Sequence, residues 1–324
     1  MLSVIVPIYN QEKFIQRAIL CLKNQRASSV EYILVNDGSV DSSLEHIEYL
    51  CKNDSRFRIF STENRGYGAA CNLGIREAAG KYIAIYEPDD ALTDDFYALL
   101  LQRAVQNPSA DIIKYNSFYV NNGEEIVPKF KPWDPEYTEK VLSKNDIPRF
   151  WRSHPAVFNG IYKKAFLLGN DIMFCETPGA AYQDSMFIVS LYYSDPKIFI
   201  VNETKYQYTI HDNQSVKNPV GKFDSIVTNF FLEKDWMNSR NIANDSYFIY
   251  KIITQVVSLH SKDPEYFSYA RFARELKKIQ SIKYRYVPMG TFKENYRNMH
   301  AFACMYCRDK GRVLGEMFSG GKSE

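Results

Sequence analysis

Tyr82-Ile83-Ala84-Ile85-Tyr86-Glu87-Pro88-Asp89-Asp90 is the stretch on which the reading of this chain turns. Tyr82–Tyr86 has the composition of a strand buried on both faces, which belongs to a mainly parallel sheet covered by helices. It runs straight into Glu87, Asp89 and Asp90. Carboxylates crowded on one tight loop repel each other unless a cation or donor groups neutralise them. A divalent ion bridging a diphosphate is the economical explanation; a solvated acidic loop ahead of a helix is the plainer one.

Upstream, strands over Ser3–Ile8, Glu31–Asn36 and Arg58–Ser61 alternate with helices from about Glu12, from about Ser42 and over Gly68–Ala79. Strands joined by crossover helices make right-handed units, and ligands gather beyond the carboxyl ends of the strands. The segments to search are therefore Pro7-Ile8-Tyr9-Asn10, Asn36-Asp37-Gly38-Ser39, Glu63-Asn64-Arg65-Gly66 and the acidic loop itself. Downstream, a helix is expected after Thr93, whose hydroxyl would cap it with Asp94 and Asp95 in the first turn. Asp111–Val120 reads as a strand, and a loop rich in Pro and charge runs from Asn121 to about Pro135. Helices and short strands continue to about residue 216. Beyond Pro219 the apolar spacing is helical in Ile226–Trp236, Tyr247–Leu259 and Tyr266–Ile279. The expected class is α/β, a Rossmann-like, mainly parallel sheet flanked by helices with a C-terminal helical appendage. The expected divisions are 1–120 (nucleotide-binding half), 121–216 (acceptor-side half) and 217–324 (helical region).

Composition narrows the partners. Of 324 residues, 24% are charged with a formal net charge of +2, which gives no pull toward nucleic acid. Aromatics reach 15%, enough to suit carbohydrate stacking but equally an aromatic-rich core. Met1–Pro7 has no basic leader followed by a long apolar run, and no stretch approaches the roughly 20 apolar residues of a spanning helix, so a cytoplasmic location is expected. Cys304 and Cys307 form a lone CxxC, without a second pair to complete a zinc site, and are expected to be reduced structural thiols.

Individual residues are ambiguous by position alone. Asp37, in a Gly-containing turn after a strand, would accept from a ligand amide or hydroxyl, or stabilise its own turn. Gly66-Tyr67-Gly68 with Asn72 would let a phosphate approach the backbone at a helix start, or simply form a turn. Asp184 opens an apolar helical stretch, where a first-turn Asp is ordinary. His211 follows a strand, as a ligand or as a loop histidine.

Taken in order, Ser3–Asn10, Val35–Asp41, Asn64–Asn72 and Glu87–Asp90 resemble the family 2 glycosyltransferases of GT-A fold. The resemblance continues more loosely through Phe158–Lys164 and the Gln183-Asp184 pair. It implies a nucleoside-diphosphate sugar donor, usually a uridine one, with the base near Pro7, Tyr9 and Asp37. Asn10, Glu12, Gly66, Asn72, Glu87, Pro88 and Asp89 complete the donor-binding set that it implies. Glu87 takes the first place of that family's DxD motif, where Asp is usual. The resemblance implies Mn2+ or Mg2+ at Asp89, with a further metal or diphosphate contact at His211, and places Asp184 as the catalytic base, although Gln183 replaces its common Glu neighbour. Inverting transfer to a glycan or lipid-linked acceptor, in cell-surface polysaccharide or glycoconjugate synthesis, follows from the same likeness.

Two other readings stand beside it. A sugar-phosphate nucleotidyltransferase uses a similar sheet, but its Gly-rich, Arg-containing turn after the first strand is missing. A non-catalytic glycan- or nucleotide-binding relative is compatible with the substitutions at Glu87 and Gln183. In the C-terminal region, Arg271, Arg274, Lys277, Lys278, Lys283 and Arg285 are interleaved with apolar residues. That pattern suits peripheral contact with anionic lipid at the inner face of the membrane. Homodimer formation and a solvated helix face are its other readings.

Overall fold

A computed structural model describes residues 1–121, 126–129, 135–143, 146, 156–180, 182–212, 222–242 and parts of 248–276. The chain divides into two compact units, Met1–Lys217 and Asn218–Glu324.

In the first unit, β1 (Leu2–Ile8), β2 (Val30–Asp37), β3 (Phe57–Thr62) and β4 (Tyr82–Ile85) form the parallel order β3-β2-β1-β4. Helices α1 (Glu12–Lys23), α2 (Ser43–Cys51) and α3 (Tyr67–Glu77) are the crossovers between them. β1, β2 and β4 are mostly apolar on both faces because each face meets a different core, whereas β3 at the edge is half-buried. Leu2, Val4, Val6, Tyr32, Leu34, Tyr82, Ala84 and Tyr86 pack on one side with Ile15, Ile19 and Leu22 of α1. Ile5, Ile33, Val35, Ile83 and Ile85 pack on the other with Ala70, Cys71 and Ile75 of α3. A one-residue slip would exchange the two faces, so the period-2 alternation fixes the register.

The second half continues the same sheet. After β4 come the short β5 (Ala91–Leu92), α4 (Phe96–Gln106), β6 (Ile112–Asn121), β7 (Ile126–Lys129) and, after a 3-10 turn at Pro135–Tyr137, β8 (Val141–Leu142). β9 (Gly160–Lys163), α5 (Lys164–Gly169), α6 (Asp184–Tyr193) and β10 (Ile198–Thr209) complete the unit. The path runs β4-β9-β6-β10-β5, with β9 antiparallel to both β4 and β6, and β10 parallel to β6. Two antiparallel steps restore the direction. The carboxyl ends of β6 and β10 therefore lie on the same edge of the sheet as those of β1 to β4. Antiparallel β5 pairs with β10 at Tyr206 and Gln207, so the acidic loop that leads into β5 is tied directly to the end of β10.

Two local expectations are corrected. Thr93 does not cap α4: the helix starts at Phe96 after Asp95, and the Thr93 hydroxyl donates to Asp95 Oδ1 at 2.7 Å. The stretch read as a loop between Asn121 and about Pro135 holds β7, antiparallel to β6. A proline inside a short charged segment masked it, and such a proline is tolerated on an outer strand.

In the second unit, α7 (Phe223–Ser239) and α8 (Tyr269–Leu276) match two of the expected helical stretches. Tyr247–Leu259 lies mostly outside the described residues, as do Lys277, Lys278, Lys283, Arg285, Cys304 and Cys307. Arg271 is engaged within this unit, its guanidinium 3.7 Å from the Phe223 ring centroid and 4.9 Å from that of Tyr266. Among the described residues no helix is long and apolar enough to cross a membrane.

Candidate active site

The shared strand direction collects the candidate residues at one edge. Beyond β1, Tyr9 is 45% exposed, an open aromatic face at the rim, while Pro7 is buried in the strand opposite Val35. Asn10 and Glu12 brace the β1 loop to the β2 loop. Asn10 N–H donates to Ser39 Oγ at 3.0 Å, and its Oδ1 accepts from Val40 N–H at 2.9 Å. Glu12 N–H donates to Asp41 Oδ2 at 3.1 Å, and its Oε2 accepts from Ser42 N–H at 3.3 Å.

Asp37 is buried and accepts from two backbone amides of the β3 loop, Arg65 at 2.9 Å and Gly66 at 2.8 Å. The Thr62 hydroxyl also donates to Oδ1 at 3.4 Å, so the carboxylate holds neighbouring loops together and Oδ2, with Gly66 as its one hydrogen-bond donor, keeps a further lone pair.

The acidic loop divides its carboxyl groups between different surroundings. Glu87 follows Tyr86 of the α1 side and turns toward α3, accepting from the Tyr67 hydroxyl at 2.6 Å. Burial first, then the charge of Asp89, push its carboxyl up to about 8; the Tyr67 hydrogen bond opposes the rise and Asp184 adds to it. Asp90 turns the other way and is buried, accepting from the Tyr206 hydroxyl and, at 2.8 Å, from the backbone amide of Thr209, both on β10. Burial holds its carboxyl well above the usual range. Asp89 lies between them, its Oδ2 2.9 Å from His211 Nε2. The Phe14 ring of α1 packs 4.7 Å from the His211 ring, and Arg17 donates to the Asp89 carbonyl at 2.5 Å. Asp184, the first residue of α6, lies close enough for its charge to act on both Glu87 and Tyr67.

Carboxylate and imidazole at 2.9 Å on an acidic edge fit a divalent cation, whose charge would relieve the strain that keeps Glu87 protonated. Among the described residues no group of three or more His, Cys, Asp or Glu side chains could hold a metal alone. A cation at Asp89 and His211 would therefore complete its shell with water and diphosphate oxygens, as Mg2+ commonly does.

Two residues of the expected donor set, Gly66 and Asn72, also have close partners within the protein. Gly66, with φ +96°, and Gly68 lie against protein on the side a side chain would take: a Cβ on Gly66 would sit 2.5 Å from the Thr177 carbonyl oxygen, and one on Gly68 1.9 Å from that of Cys175. The start of α3 is covered accordingly, with Tyr67 N–H donating to Gly179 O at 3.0 Å. Asn72 binds the same segment. Its Nδ2 donates to Phe174 O at 3.0 Å and Glu176 Oε1 at 3.1 Å, and its Oδ1 accepts from Phe174 N–H at 2.9 Å. Sequence reading missed these partners because they lie about a hundred residues away. It also missed Arg17, Phe14, Tyr206 and the Tyr67 hydroxyl, which carry no local signal.

Known proteins resemble the chain over this region. Residues 3–187 match the model of Glycosyl transferase family 2. The uncharacterized glycosyltransferase EpsJ of Bacillus subtilis is 30% identical over 226 residues, 68% of this chain and 64% of that protein. The chain spans less than two thirds of the length of the first curated relatives it matches. Among solved structures, S. aureus TarS 1-349 in complex with UDP-GlcNAc superposes with TM-score 0.62 at 18% identity, covering 94% of this chain and 81% of that one. The mannosyltransferase PcManGT from Pyrobaculum calidifontis, in complex with GDP-Man and Mn2+, gives 0.52 at 14% identity, covering 95% and 87%. Both share the GT-A fold with this chain.

Two outcomes are expected. Gly68→Ala should destabilise the protein by about 1–3 kcal/mol in urea denaturation, because overpacking outweighs the better helix propensity of alanine. For the metal-free protein, a carboxyl raised from 4.5 to about 8 on folding keeps a proton that the unfolded chain releases. Its contribution is complete below the unfolded value and is lost as pH rises through about 8. Stability measured across that window should fall more steeply with pH in the wild type than in Glu87→Gln.

Proposed function

Starting from a chain that belongs to glycosyl transferase family 2, we propose that it is an inverting, metal-dependent glycosyltransferase using a nucleoside-diphosphate sugar, with UDP as the preferred nucleotide. The observation that carries this reading is the convergence of the Asp89–His211 pair, Glu87 and Asp184 at one edge of the sheet. TarS was solved with a UDP-sugar and PcManGT with a GDP-sugar and Mn2+, so both donor classes belong in the test.

In this proposal Tyr9 stacks on the base, and the remaining lone pair on Asp37 Oδ2 accepts from the uracil N3–H or a ribose hydroxyl. Asp89 and His211 hold Mn2+ or Mg2+, which when bound offsets the charge of the departing diphosphate. Pro88 fixes the turn between Glu87 and Asp89. Asp184 takes the proton from an acceptor hydroxyl while that oxygen forms its bond to the anomeric carbon. The bond from that carbon to the diphosphate oxygen breaks with its electron pair, and configuration inverts. The acceptor is a glycan or lipid-linked hydroxyl, and cell-surface polysaccharide or glycoconjugate synthesis is the setting. A cytoplasmic location, with peripheral contact at the inner face of the membrane or a homodimer through the C-terminal helices, belongs to the same proposal.

Thermal unfolding with UDP- and GDP-sugars, with and without Mn2+, tests the donor site. A saturating ligand at about 100 times its Kd adds roughly 2.7 kcal/mol. A metal-dependent rise with one UDP-sugar is expected, and Asp89→Asn and His211→Ala should each reduce the metal-dependent part. Loss of a positioned base costs about 10²–10⁴ in rate. Asp184→Asn should therefore keep the donor-induced stabilisation and lose transfer by that factor; undiminished turnover would remove Asp184 from the mechanism.

A further inference from the structure

Gln183 directly precedes Asp184 and is only 1% exposed. Its Nε2 lies within hydrogen-bond distance of three carbonyl oxygens: Gly179 at 3.1 Å, Thr177 at 3.3 Å and Pro178 at 3.4 Å. Its own backbone carbonyl accepts from Cys175 N–H at 3.0 Å. The side chain thus gathers the Cys175–Gly179 segment from inside, although its position immediately before α6 would suit a helix cap; it makes no side-chain cap bond to that helix.

The same segment closes on α3. Gly179 O accepts from Tyr67 N–H, and the Gly66 and Gly68 backbones touch Thr177, Gly179 and Cys175 too closely for any side chain. Left-handed backbone marks both ends of the turn, φ +83° at Gly179 and φ +62° at Tyr182. A non-glycine residue holds that conformation only where its surroundings over-determine it. The amide of Gln183 is the buried group that supplies donors to this loop, and it sits one residue from Asp184.

We propose that Gln183 is a positioning residue: by donating to the carbonyls of Thr177–Gly179 it fixes the start of α6, and with it the Asp184 carboxyl, against α3 and the Glu87 loop. This assignment rests on the reading of Asp184 as the base. It requires an amide, since an ionised carboxylate has no hydrogen to offer and would face three carbonyl oxygens. Gln183→Glu preserves size and shape. Burial among carbonyl dipoles raises the pKa of the introduced carboxyl, and its protonated form recovers one donor.

The experiment compares Gln183→Glu with Gln183→Met, which lacks a donor at every pH. The groups around the loop, Tyr67, Glu176, Tyr182 and Asp184, are common to both variants, so their titration cancels in the comparison. Urea denaturation should place Gln183→Glu close to the wild type near pH 5, with the gap widening toward about pH 8, while the gap for Gln183→Met stays constant. In sugar transfer, kcat of Gln183→Glu relative to wild type should drop at least about tenfold over the same range, with donor KM changing less than about threefold. Equal stability of Gln183→Glu and wild type at about pH 8, or a gap as flat as that of Gln183→Met, overturns the clamp. A rise in KM with unchanged kcat overturns the positioning of Asp184. The stability arm needs no substrate: if the wild type transfers nothing, the reading of Asp184 as base fails on its own, and the pH-dependent gap still reads the clamp.

Discussion

Glu87, Asp89 and Asp90 crowd three carboxyl groups into four positions, and the fold keeps them together by giving each a different neighbour. Tyr67 on α3 donates to Glu87, β10 supplies two donors to Asp90, and Asp89 faces an imidazole. Burial of the outer two raises both, Glu87 to about 8 and Asp90 well above the usual carboxylate range. Asp89 is left facing the His211 imidazole at 2.9 Å. Like charges held this closely are costly without such division.

That division depends on topology. Because β9 runs against both β4 and β6, the sheet recovers its direction, and the end of β10 arrives at the same edge as the end of β4. Antiparallel β5 then stitches the acidic loop to β10, which delivers His211, Tyr206 and Thr209 from about 120 residues away in sequence. A second long-range brace acts on the opposite side of Glu87. There Asn72, Gly66, Gly68 and Gln183 hold the segment that leads into Asp184.

The strands and crossovers of the first 120 residues were legible because two-faced burial leaves continuous apolar runs punctuated by turn residues. The clustering of Asp37, Glu87 and Asp89 at one edge followed from parallel topology alone. What could not be read were contacts whose partners carry no local pattern. Gly66 and Gly68 read as a phosphate approach or a plain turn, and the close packing of the Thr177–Gly179 and Cys175 backbone against them carries no signal in the sequence. Asn72 looked like a ligand contact for the same reason. β7 stayed hidden because a short strand with proline resembles a loop. In the second unit the periodicity found α7 and α8, but not the stacking of Arg271 on Phe223 and Tyr266.

In the proposed reading, the carboxyl edge of the sheet, at Asp89 and His211, receives the metal and diphosphate of a sugar donor. Anomalous diffraction from crystals of the full chain grown with UDP and Mn2+ tests it most directly. The account predicts one Mn2+ peak within coordination distance of both Asp89 and His211, roughly 2.0–2.3 Å by analogy with other hard divalent cations, with diphosphate oxygens completing its shell. A UDP bound elsewhere, or Mn2+ held without either residue, would contradict it.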